Sequence, residues 1–252
     1  MNKVAIITGS SGGIGRALVQ SYLEDDFIVI GIDNLESNIE YLDNRFFFLK
    51  YNLELFVKNI KNQKLFTAKI KKHLPKKLNE LVIINNAAFQ FLSPFNNITF
   101  DDFEKSLNIN TLAPFFIARN FFDELKKTSG HIINVSSIHA KQTKSFFSVY
   151  AASKAALESI TRSLAIEMSP NGISVNAVSP GAIMTNMLRE GFQGDNKKIK
   201  ELEKHHPSVK IASAEELALF IKTITDYKGK FLTGSIIEFN GGIGCKLNDP
   251  QE

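Results

Sequence analysis

Val4-Ala5-Ile6-Ile7-Thr8-Gly9-Ser10-Ser11-Gly12-Gly13-Ile14-Gly15-Arg16-Ala17-Leu18-Val19 decides how this chain is read. Val4–Thr8 is a short apolar run of strand length, and Arg16-Ala17-Leu18-Val19 opens a helix. The glycines between them let the backbone turn sharply and approach a pyrophosphate. The first N–H groups of the helix add a partial positive charge, so the turn has the physics of a dinucleotide site. The literal G-x-G-x-x-G pattern fails at Leu18, and no Gly-Lys-Ser/Thr follows, which excludes a P-loop. Gly9-Ser10-Ser11-Gly12-Gly13 does fit G-x-S-x-G, the serine-hydrolase nucleophile elbow. That machinery draws part of its oxyanion hole from a loop ahead of the nucleophile strand. Only residues 1–10 precede Ser11, so the hydrolase reading is set aside.

Outward from the turn, strand-length apolar runs alternate with helical patterns. Val4–Thr8, Phe27–Ile32, Phe46–Tyr51, Leu81–Ile84, His131–Val135, Ile173–Val178 and Ser235–Phe239 read as strands. Gly13–Glu24, Phe100–Leu125, Val149–Met168 and Ala214–Thr225 read as helices. Continuous rather than alternating apolar strands are buried on both faces. The prediction is an α/β, single-domain, doubly wound (Rossmann) fold over residues 1–252. It has about seven parallel strands, helices on both faces and a substrate lid around 184–210.

The chain is 44% hydrophobic and 22% charged, an ordinary globular balance. No stretch approaches the roughly 20 apolar residues of a membrane span, and the N-terminal run is too short for a signal-peptide core. A cytoplasmic protein without membrane partners is expected. The formal charge of +4 resides largely in Lys69–Lys77 and Lys197–Lys204, where Lys alternates with Ile or Leu as on a solvated helix face. No nucleic-acid partner is expected. The lone Cys245 has no disulfide partner, and His205-His206 lacks metal-ligand spacing, so no metal is expected.

Asp33 ends the second strand. A carboxylate there accepts hydrogen bonds from an adenosine ribose and repels a 2′-phosphate, and no Arg or Lys sits beside it or between Gly9 and Gly15. NAD is therefore expected over NADP. Tyr150 and Lys154, in Tyr150-Ala151-Ala152-Ser153-Lys154, lie one turn apart on a helix face. Bringing a tyrosine from about 10 to near neutral takes roughly 4 kcal/mol. An ammonium about 4 Å away gives about 1 kcal/mol in water and about 4 at an effective dielectric near 20. The pair works only in a closed site.

In order and spacing the motifs resemble the short-chain dehydrogenase/reductase family along nearly the whole chain. Thr8-Gly9 to Gly15 looks like its T-G-x-x-x-G-x-G, and Asn85-Asn86-Ala87-Ala88 like its N-N-A-G with Ala last. Asn110 and Ser137 match its asparagine and serine, Ser179-Pro180-Gly181 with Thr185 its nicotinamide-gripping stretch, and Asn240-Gly241-Gly242 its closing segment. The resemblance implies a catalytic set of Asn110, Ser137, Tyr150 and Lys154. Tyr150 would be the general acid/base. Lys154 would lower its pKa and hold the ribose. Ser137 would fix the substrate oxygen, and Asn110 would hold a relay water. It implies cofactor contacts from Gly9, Ser11, Gly13, Ile14, Gly15, Asp33, Asn52, Leu53, Asn86, Ala87, Tyr150, Lys154, Pro180, Gly181, Ile183 and Thr185.

The sequence departs from the family at Asn52, where Asp is usual, and in the short Asp33–Asn52 interval, which leaves little room for a crossover helix. Substrate contacts are expected from Gln90, His139, Phe147, Met184 and Met187. The reaction implied is NAD-dependent interconversion of a small secondary alcohol and ketone by a homotetramer or homodimer. An NADP-dependent carbonyl (3-oxoacyl-type) reductase and a non-catalytic dinucleotide sensor are the other readings.

Overall fold

The computed structural model describes residues 2–35 and 43–246. Strands β1 (Lys3–Thr8), β2 (Ile28–Asp33), β3 (Phe46–Lys50), β4 (Glu80–Asn85), β5 (His131–Val135) and β6 (Ser174–Pro180) join a last strand, β9 (Ile236–Phe239). They form one seven-stranded sheet in the order β3-β2-β1-β4-β5-β6-β9, and every pairing is parallel. The order reverses at β1 and β4, opening a crevice at the carboxyl edge beside the glycine turn.

Side-chain alternation feeds two cores. On β1, Val4 and Ile6 enter one cluster while Ala5 and Ile7 enter the other; Leu81 and Ile83 on β4 part from Val82 and Ile84 in the same way. Helices α1 (Gly13–Glu24) and α10 (Ala214–Asp226) cover one face with Leu18, Tyr22, Leu217 and Ile221. The other face carries α2 (Leu53–Lys58), α3 (Ile60–Lys71), α5 (Ala113–Asn120), α6 (Phe122–Thr128) and α7 (Ser148–Met168). The doubly wound prediction is borne out, with strand ends shifted by at most two residues.

The expected helix Phe100–Leu125 is broken. It divides into α4 (Phe100–Leu107), a π-helical turn at Asn108–Leu112, then α5 and α6. The Ala113 N–H reaches back to the Asn108 carbonyl, five residues away, and Pro114 has no N–H to offer the Asn110 carbonyl. Apolar periodicity runs through the break, so pattern alone does not reveal it.

After β6 a short parallel pair, β7 (Ile183–Met184) with β8 (Ala212–Ser213), ties the ends of an excursion carrying α8 (Asn186–Gly191) and α9 (Asn196–His205). Among the described residues no helix is long and apolar enough to cross a membrane, and no three His, Cys, Asp or Glu gather to hold a metal.

Candidate active site

A cleft of about 1720 Å³ runs along the carboxyl edge of the sheet. All but one of the site residues expected from the sequence line it; Asn110 lies beneath.

Gly9 has φ of +67°, and a Cβ there would fall 2.8 Å from the Ala87 Cα. A Cβ on Gly15 would lie 1.9 Å from the Gly9 carbonyl oxygen, so only glycine lets α1 start this close to β1. Helix α1 begins with no side-chain cap and no acidic residue in its first turn, leaving its N–H groups facing the cleft at Gly13, Ile14 and Gly15. The Ser11 hydroxyl is buried without a partner. Its backbone N–H donates to Asp33 Oδ2 at 2.9 Å, and Asp33 Oδ1 accepts from the Leu35 N–H at 3.1 Å.

Asn86 joins β4 to the turn: its Nδ2 donates to the carbonyls of Thr8 and Gly9 at 3.1 and 3.0 Å. The Asn86 and Ala87 N–H groups both donate to Thr8 Oγ1. Asn52 Oδ1 is occupied as the N-cap of α2, accepting from the Glu54 N–H at 2.8 Å, and the Leu53 side chain is buried in the core. Pro180, Gly181, Ile183 and Thr185 border the opposite wall, with the Thr185 methyl group against Gly13.

At the far end, the first turn of α7 places Tyr150 beside the end of β5. Its phenol lies near the Ser137 hydroxyl, which acts to lower its pKa, and Ser137 Oγ accepts from the His139 N–H at 3.2 Å. Burial pushes the phenol up to about 12, against the lowering effect of Ser137. Lys154, one turn on and buried, donates from Nζ to the Val135 carbonyl at 2.7 Å and lies 5.7 Å from the centre of the Tyr150 ring. Burial brings this ammonium down to about 8, partly opposed by the charge of Glu158. Desolvation dominates both groups, so in the chain alone the ammonium does not make the phenol acidic.

Asn110 sits apart from the phenol. Its Oδ1 accepts from the Phe89 N–H at 2.7 Å, and its Nδ2 donates to the Phe89 carbonyl and the Ser153 hydroxyl, each at 2.9 Å. The side chain thus fastens the loop after β4 to α7. His139 stacks on Phe147 with ring centres 4.1 Å apart and meets the Tyr150 ring edge-on at 6.0 Å. Burial, with help from the Lys144 charge, pulls His139 down to about 4. Gln90, Met184 and Met187 complete this end of the cleft.

Sequence reasoning missed several polar groups. Ser136 Oγ donates to the buried Glu158 at 2.9 Å, and Asn85, Asn134 and Thr161 form a buried chain of hydrogen bonds of 2.8 and 2.9 Å. The one local signal is the spacing of Glu158, a turn beyond Lys154 on the same helix face. Arg16 also reaches the cleft, its Nε donating to the Ser11 carbonyl at 2.7 Å.

A family model described as short chain dehydrogenase matches residues 3–196. The L-xylulose reductase of Caenorhabditis elegans is 30% identical over 247 residues, covering 96% of each chain. A short-chain type dehydrogenase/reductase of Sinorhizobium fredii is 29% identical over 250 residues; it takes in 98% of this chain, which spans only 44% of that longer protein. Among solved structures, 4-hydroxyisoleucine dehydrogenase complexed with NADH superposes with a TM-score of 0.86 at 26% identity, over 98% of this chain and all of the other. The chain therefore belongs to the short-chain dehydrogenase family and is an oxidoreductase acting on CH–OH groups.

Proposed function

We propose that the chain interconverts a small secondary alcohol and its ketone with NAD, residues 1–252 acting as one dinucleotide-binding domain and 184–210 as its lid. The observation that carries this reading is that Ser137, Tyr150 and Lys154 line one cleft, with the buried Lys154 ammonium one turn from the phenol and 5.7 Å from its ring centre. Uncapped N–H groups at α1, the partnerless Ser11 hydroxyl and the Asp33 carboxylate are the groups a dinucleotide fits. When bound, the nicotinamide gives or takes the hydride.

In this reading the glycine turn and α1 hold the pyrophosphate, Asp33 the adenosine ribose, and Pro180 to Thr185 the nicotinamide end. Ser137 positions the substrate oxygen, and Tyr150 passes the proton to or from it. Lys154 holds the other ribose, and its ammonium favours the phenolate only once cofactor and substrate close the site. The Asn110 carbonyl, left without an α-helical donor by Pro114, suits a relay water. The residues around Tyr150 shape a pocket for a largely apolar substrate. A panel of secondary alcohols and ketones, followed by nicotinamide absorbance with NAD and NADP in parallel, tests the assignment; turnover with NAD is expected to be the faster.

Arg16 favours a second reading, an NADP-dependent carbonyl reductase, because its guanidinium stands at the glycine turn. We prefer NAD because the Asp33 carboxylate lies against Ser11, where a 2′-phosphate would meet it. The proposal includes a cytoplasmic homodimer or homotetramer. Phe100, 80% exposed, beside Phe103 on α4 supports association. Light scattering should give two or four copies, and a monomer at micromolar concentration would contradict it.

A further inference from the structure

Where the cleft passes Tyr150, its charged lining is one-sided. Lys105 on α4 holds its ammonium 4.4 Å from the centre of the Phe89 ring, and Lys144, just before α7, holds its own 4.9 Å from that of Phe147. Both line the cleft. Among the described residues neither is ion-paired with a carboxylate, whereas neighbouring Lys141 is paired with Glu238 at 2.6 Å. The carboxylates lining the same cleft, Asp33, Glu54 and Glu215, belong to β2, α2 and the start of α10. None comes from α4 or from the β5–α7 loop that carry the two lysines.

Exposed ammonium groups usually acquire carboxylate neighbours or point into solvent; these two are held on aromatic faces at the walls of a cleft. Phe147 alone stands between Lys144 and the Tyr150 ring, 4.9 Å from the ammonium and 6.3 Å centre to centre from the tyrosine. An apolar segment of a few carbons spans such a gap. Helix α9, bordering the cleft through Leu202 and His205, adds Lys197, Lys198, Lys200 and Lys204 against Glu201, Glu203 and the N-cap Asp195, which pairs with Lys198 at 3.9 Å. Its excess of positive charge draws anions toward the opening.

Resting on the oxidoreductase reading, we infer that the substrate is an anion. It is a secondary alcohol or ketone whose apolar chain ends in a carboxylate or phosphate seated between Lys105 and Lys144.

Binding can be read apart from turnover. Titration calorimetry of the NAD-loaded protein with hexanoate, hexyl phosphate and hexan-1-ol is the test. At least one anion is expected to bind about tenfold or more tighter than the alcohol, and the stronger anion identifies the terminal group. Lys105→Gln with Lys144→Gln should remove that advantage, while Lys→Arg at both positions retains it and shows that charge, not folding, is at issue. Equal binding of alcohol and anions, no binding of either anion, or an advantage that survives the double Gln variant would overturn the inference. A Tyr150→Phe enzyme with undiminished turnover would instead overturn the oxidoreductase mechanism and leave this result standing.

Discussion

The carboxylate of Asp33 accepts a hydrogen bond from the Ser11 backbone, Oδ2 to N 2.9 Å, so the end of β2 and the glycine turn share one charged contact. A 2′-phosphate entering here meets a negative charge already anchored, with Arg16 at the glycine turn and Lys50 opposite Asp33 on β3 as neighbouring cations. Replacing Asp33 with Ala should lower the NAD-to-NADP ratio of kcat/KM by about tenfold or more, a change of roughly 1.4 kcal/mol. Steady-state kinetics with both cofactors measure it. A wild type equally efficient with NADP would show that the carboxylate does not select.

Glu158 lies buried one turn beyond Lys154, held by the Ser136 hydroxyl, and its charge raises the Lys154 pKa against burial. On α7 the group flanking Lys154 on its other side is Tyr150; from β5 it meets the Val135 carbonyl, and Lys141 senses Glu158 from the loop after β5. Removing the negative charge makes the ammonium harder to keep. For Glu158→Gln the alkaline limb of kcat/KM should move down by about one pH unit, with Glu158→Asp close to wild type. A Gln variant slowed equally at every pH would mean that Glu158 only supports packing.

His131 is buried at the start of β5, its Nε2 3.2 Å from Lys230 Nζ, and burial brings it down to about 4 from 6.5. Unfolding frees the ring to take a proton, so between about pH 6.5 and 4 the unfolded chain binds more protons than the folded one. Stability should fall as the pH is lowered through that window. His139, also brought to about 4, acts in the same sense but is partly exposed and weaker. Thermal melts across this range should show a flatter loss of Tm in His131→Gln than in the wild type. Equal slopes would contradict the shift.

The fold was legible because most buried strands are continuous Val/Ile-rich runs and the first ends in glycines, local signals that one stretch of chain carries alone. Tyr150, Lys154 and Ser137 were legible through recurring spacing, and the structure brings them to one end of the cleft. The π turn at Asn108–Leu112 was not, since a one-residue insertion into a helix leaves the apolar pattern almost unchanged. Nor were Glu158, Arg16 or the Asn85–Asn134–Thr161 chain, whose roles depend on partners from other elements and therefore on tertiary contact. Asn52 was read as a cofactor contact that departs from the family's Asp; its capping of α2 through the side-chain oxygen, a local role typical of Asn before a helix, appears only in the structure.

The central claim is that Tyr150 moves the proton while other groups hold the cofactor, and Tyr150→Phe tests it most directly. Removing one hydroxyl should lower kcat by about a thousandfold, within the range for a lost general acid/base, yet leave NADH affinity measured by fluorescence within about threefold of wild type. Turnover within about tenfold of wild type, or cofactor affinity lost in step with turnover, would contradict the account.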